Sequence, residues 1–113
     1  MKIINQTKGA VLATDAALAS TPLARVKGLL GKKEFGHGQA VILRPCNSIH
    51  TFFMRFAIDI LFVDKHNRVI KAISNLAPFR LTGICFKAVY SVELPAGSIA
   101  STNTSGGDIL DIL

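Results

Sequence analysis

The segment MRFAIDILFVD, residues 54–64, most narrows what this chain can fold into. Read in twos, it puts Phe56, Ile58, Ile60 and Phe62 on one side and Arg55, Ala57, Asp59, Leu61 and Val63 on the other, the alternation of a β-strand. A helix would scatter the same apolar groups around its whole circumference. With the preceding NSIHTFF the passage is nearly apolar enough to cross a bilayer. Arg55 and Asp59 would then lie near mid-membrane, at a cost of about 2.5–3.5 kcal/mol each. A core strand is the better reading, and no membrane span is expected. The turn Asp64-Lys65-His66-Asn67 fits a three-residue hairpin loop with Asn67 in the left-handed position, and residues 68–75 return as the partner strand. Matching apolar faces predicts Ile70 opposite Phe62 and Ala72 opposite Ile60.

Residues 2–5 and 10–14 are short runs around a Thr-Lys-Gly turn, read as two edge strands or one hairpin. STPLARVKGLLGKKEFG then predicts a helix over about 21–32. Ser20 or Thr21 is its N-cap, Pro22 opens it, and Leu23, Val26, Leu29 and Leu30 share a stripe. Gln39 to Leu43 form a strand, closed by Arg44-Pro45. Residues 85–94 alternate again, with Phe86, Ala88, Tyr90, Val92 and Leu94 on the apolar face and Lys87, Ser91 and Glu93 on the other. Ser98 to Thr102 fit one helical turn, and 108–112 a terminal strand. The expected fold is α+β. It is mostly antiparallel, a strongly curved sheet or partly closed β-barrel of about seven strands with one helix in the N-terminal half.

The length of 113 residues, half of them hydrophobic, suits a single domain over 1–113. The net charge of +6 raises the question of nucleic acid, but Arg25, Lys32, Arg44, Arg55, Arg68, Arg80 and Lys87 are spread along the chain. Specific nucleic-acid binding needs them gathered on one face, so the charge is read as a solvated surface. Asn5 to Gly9 occupy the place of a signal peptide's apolar core, so a cytoplasmic protein is expected, with Cys46 and Cys85 as reduced thiols.

Four signatures stand in order: Arg25-x-x-Gly28-Leu29-Leu30, Ile49-His50-Thr51-Phe52-x-Met54-Arg55, Ile58-Asp59-Ile60-x-Phe62-x-Asp64, and Glu93-Leu94-Pro95-Ala96-Gly97 with a later Gly107-Asp108. Together, from about residue 10 to 112, the chain resembles the prokaryotic family called domain of unknown function 192. The resemblance implies a small, mostly β domain without an established enzymatic role.

The polar residues of these signatures, Arg25, His50, Met54, Arg55, Asp59 and Glu93, form the candidate site. Each has two readings. Asp59 ties down backbone amides or accepts from Arg25, or it serves as a general base. His50 bonds a backbone carbonyl or Asp59, or it belongs to a site. Arg25 and Arg55 hold an anionic ligand, or they pair with Glu93 or Asp59. Cys46, His50 and Met54 are plausible soft-metal donors, but their spacing is no established metal site, and no metal or cofactor is expected. Cys46 with His50 lacks any catalytic-cysteine signature. Phe52, Phe53 and Phe56 beside Arg55 could form an exposed aromatic and basic patch. The leading expectation is a non-enzymatic module binding a small polar ligand or a protein partner. The alternative is a small hydrolase or transferase using His50 with Asp59 or Glu93 as acid and base.

Overall fold

A computed structural model describes residues 1–20, 35–52 and 54–113. The helix expected over about 21–32, and with it Arg25, lies outside the described residues, as does Phe53. The strands are β1 (Ile3–Asn5), β2 (Ala10–Ala13), β3 (Asp15–Ala19), β4 (Gln39–Leu43), β5 (Ile58–Val63), β6 (Val69–Leu76), β7 (Tyr90–Pro95) and β8 (Leu110–Ile112). One short helix, α1 (Ser98–Thr102), falls where a helical turn was expected.

The strands form a small sheet, in the order β2-β1-β8, and a large one, β3-β4-β7-β5-β6. All pairs are antiparallel except β3 with β4. The edges of the sheets meet through an isolated bridge between Arg68 and Ile109 and a bond from the Ala16 amide to the Met1 carbonyl. No continuous ladder runs between them. The expected single curved sheet or partly closed barrel of about seven strands is therefore corrected to two sheets, with eight strands among the described residues. The added strand is β3. Its sequence, DAALA, carries no alternation that would separate it from a loop.

Alternation on β5 works as expected. Leu61 and Val63 join Ile3, Leu12, Ile42, Tyr90, Val92, Leu94 and Leu110 in a core between the sheets. Ile58, Ile60 and Phe62 face the other way, where Val41, Leu43, Ile49, Met54 and Ala88 form a second cluster. Among the described residues, loops rather than a sheet cover this outer face.

The β5–β6 hairpin turns as predicted, with Asn67 at φ 60° and the Asp64 amide bonded to the Arg68 carbonyl. Its register differs: Phe62 pairs with Lys71, and Ile60 with Ile73. Irregularities between Phe62 and Val63 and between Ile58 and Ile60 each add a residue on β6. The expected strand over 85–94 is also shorter. Only Tyr90–Pro95 pairs, while residues 82–88 form a loop and Phe86 projects into solvent.

Candidate functional site

Cross-strand register decides which of the polar residues share a face. Asp59 pairs with Leu94 and lies on the inner-core side, whereas Glu93 pairs with Ile60 and Val41 and lies on the outer side. The two carboxyl groups are thus on opposite faces of the large sheet. Asp59 is fully buried. Its Oδ1 accepts the Asn75 amide at 2.8 Å and its Oδ2 the Ile99 amide at 2.8 Å. Asn75 stands at φ 55°, within the stretch where β6 departs from register, and Ile99 lies in the first turn of α1. Asp59 therefore joins an irregular edge strand to a helix, using both oxygens.

Glu93 is only 4% exposed, and no hydrogen bond to its carboxyl is formed among the described residues. Burial, which disfavours the charged form, pushes its pKa up from 4.5 to about 7. Two residues along the same face, the buried Ser91 hydroxyl likewise lacks a partner. Glu93 and Ser91 lie on the same outer face of the sheet as the cluster that includes Met54. Met54 is buried in the outer cluster, while His50 and Arg55 are exposed. The His50 ring stacks on Phe52, with centroids 5.2 Å apart.

His50, Met54 and Glu93 thus belong to one side of the sheet, with Arg55 beside them, and Asp59 belongs to the other. No hydrogen bond joins His50 to either carboxylate among the described residues, as an acid–base pair would require. No group of three or more His, Cys, Asp or Glu able to hold a metal ion occurs among the described residues. Cys46 and Cys85 are free and half-buried, and the Cys46 thiol donates to the Ser48 carbonyl.

What the sequence reading missed is the partner of this segment. Residues 47–52 and 79–85 run side by side. The Cys85 amide donates to the Asn47 carbonyl, Thr82 to Ile49, Thr51 to Arg80, and Phe79 to Thr51, and a bridge joins His50 to Leu81. Thr51 fastens the pair from inside. Its buried hydroxyl donates to the Ala77 carbonyl at 2.6 Å and accepts the Arg80 amide at 2.9 Å. On this ribbon and the loop leaving it, Leu81 is 69% exposed, Ile84 57% and Phe86 86%, with Phe52 and Phe79 also exposed. The basic side chains among them are Arg55, Arg80, Lys87 and His50, and the sequence has no Asp or Glu from 65 to 92. Of the aromatic patch expected beside Arg55, Phe52 is exposed and Phe56 half-buried, whereas Phe79, Leu81, Ile84 and Phe86 read as core by composition and stand outside that expectation.

The architecture is that of a small, mostly antiparallel two-sheet β domain with loops packed over one face. The chain belongs to the family of domain of unknown function 192, described as "Uncharacterized ACR", whose model matches residues 3–112. It is 34% identical to a UPF0127 protein of Thermococcus kodakarensis over 96% of this chain and 71% of the relative. It is 31% identical to a UPF0127 protein of Pyrococcus horikoshii over 94% of each chain. A crystal structure of a protein of unknown function from Novosphingobium aromaticivorans superposes with a TM-score of 0.86 at 21% identity, covering 99% of this chain and 84% of that one. A second, from Sinorhizobium meliloti and named as a candidate transcription regulator, gives 0.82 at 19%, covering 97% and 89%. At these identities the structural likeness shows the fold alone.

Proposed function

We propose that this protein is a non-enzymatic binding module. Its contact surface is the ribbon of 47–52 with 79–85, together with Met54, Arg55, Phe86 and Lys87 that follow its two segments, and its partner is a protein segment that presents apolar side chains flanked by carboxylates. One observation carries the reading: Leu81, Ile84 and Phe86 project from the ribbon and the loop leaving it, where the charged side chains within the same described segments are all basic. Large exposed apolar groups gathered in one place are characteristic of interaction surfaces. Fully burying a Leu or Phe side chain is worth about 1.5–3 kcal/mol each, against which the cost of association must be set. Arg55, Arg80 and Lys87 supply complementarity to an acidic partner and steer its approach. His50, stacked on Phe52, extends the surface, while Met54 packs with Ile49 in the cluster beneath it.

The test uses a synthetic amphipathic helical peptide with leucines on one face and glutamates on the rest, followed by fluorescence anisotropy. The unaltered chain is expected to bind it with an affinity that falls as salt is raised. Leu81→Ser combined with Phe86→Ser should weaken binding at least tenfold without lowering the melting temperature, because both side chains are exposed. Equal binding of the same peptide with lysines in place of glutamates would overturn the proposal. So would preferential binding to phosphatidylglycerol vesicles, which would assign the surface to lipid.

A further inference from the structure

At one end of the core between the sheets is a cleft of about 280 Å³, lined by none of the ribbon residues. Its apolar walls are Leu18 on β3, Ile42 on β4 and Ile112 on β8, and Tyr90 of β7 also lines it. At its rim are Arg44, one residue beyond β4, and Asn67 of the β5–β6 turn. The Arg44 guanidinium lies over the Tyr90 ring at 5.4 Å from its centroid, an arrangement that restrains a flexible side chain at the mouth. Arg44 takes part in no ion pair among the described residues; the pair found there is Lys8 with Asp108. The Tyr90 hydroxyl donates to Asn67 Oδ1 at 2.9 Å. That bond turns the Asn67 oxygen inward and leaves its amide hydrogens as donors at the rim.

The cleft accordingly sets the side chains of Met1, Leu18, Ile42 and Ile112 beside an equally large polar lining in which Arg44 is the basic side chain. Burial, with the nearby Asp64 carboxylate adding to it, raises the Tyr90 hydroxyl to about 12 despite the opposing influence of Arg44, so it adds no negative charge at neutral pH. Asp111 also borders the cleft, but it pairs with Ile4 on β1 and alternates with Leu110 and Ile112, which pack toward the core. That alternation turns its carboxylate to the outer face of the small sheet. Apolar clefts with a few convergent polar groups are the usual form of small-ligand sites, and the mouths of sheet-enclosed cores are a common place for them. A guanidinium fork matches a carboxylate in geometry as well as charge.

We propose that this cleft binds a small carboxylate with an apolar tail, its acid group on Arg44 and Asn67 and its tail between Leu18, Ile42 and Ile112. The site is separate from the ribbon and does not depend on its function.

Titration of the full chain, labelled with ¹⁵N, with hexanoate, hexanamide and hexylamine tests it by amide chemical shifts. Hexanoate is expected to give saturable shifts at Leu18, Ile42, Asn67 and Ile112. Hexanamide, which keeps the tail and loses the charge, should bind at least tenfold more weakly, and hexylamine should give no saturation. Arg44→Met should weaken hexanoate at least tenfold and leave hexanamide unchanged, and Arg44→Lys should fall between. If Arg44→Met disturbs the fold, the ratio of acid to amide on the unaltered chain decides the matter. Absence of saturable shifts with hexanoate, an amine that binds as well as the acid, or a folded Arg44→Met chain with unchanged affinity would overturn the proposal.

Discussion

Two carboxylates on adjacent strands of one sheet have opposite fates because their surroundings differ. Asp59 is fully buried but receives two backbone amides, whereas Glu93 is almost as buried and receives none among the described residues. The consequence for Glu93 is a dependence of stability on pH whose sign can be worked out. Its folded pKa of about 7 lies above the ordinary 4.5, so between those values the native chain holds a proton that the unfolded chain has released. Its stabilising effect is complete below about 4.5 and is lost as pH rises through 7. Glu93→Gln removes the titration. Urea unfolding should find the variant more stable than the parent by roughly 1–3 kcal/mol at pH 8 and similar to it at pH 4.5. A constant difference across that range would contradict the assignment. Asp108 behaves in the reverse sense. Burial alone would raise its pKa, but hydrogen bonds from Asn5, the Ser105 amide and Lys8 outweigh it and leave the pKa lowered, so its contribution is lost on acidification.

Among the elements, the ribbon of 47–52 with 79–85 depends on Thr51 more than on any strand ladder. Thr51→Val keeps the shape and removes a hydroxyl that both donates and accepts. The Arg80 amide and the Ala77 carbonyl then lose their partner, at about 1–3 kcal/mol. Hydrogen exchange should quicken about 5- to 100-fold at Phe79, Arg80 and Thr82, with β5 and β7 unaffected, and unchanged rates would deny Thr51 this role. The strand β5 was legible in the sequence because a period of two leaves its mark on consecutive residues, and the β5–β6 turn because Asn67 tolerates the left-handed conformation. Register was not legible, since the irregularities at Ile70 and around Asn75 answer to packing across strands. The same limit applies to the candidate site. Asp59 and Glu93 are both odd-numbered, but antiparallel pairing of β5 with β7 sets odd residues opposite even ones. They therefore point to opposite faces, which alternation within either strand cannot reveal. The exposed face of Leu81, Ile84 and Phe86 was hidden for another reason: apolar composition is silent about which apolar groups remain outside.

For the molecule as a whole, the formal charge of +6 understates how basic its outside is. Asp59, Glu93 and Asp108 are buried, while Arg44, Arg55, Lys65, Arg68, Lys71, Arg80 and Lys87 are exposed. One core is closed between two sheets and the other by loops, and the loop-covered side combines apolar projection with positive charge. On the proposed function, an acidic counterpart approaches that side and the small sheet is support. The most direct measurement is amide hydrogen exchange of the unaltered chain with and without the leucine–glutamate peptide. Added protection should be confined to residues 47–55 and 79–87, with β1, β2 and β8 unchanged. Protection centred on the small sheet, or none at peptide concentrations where glutamate and lysine versions are compared, would contradict the account.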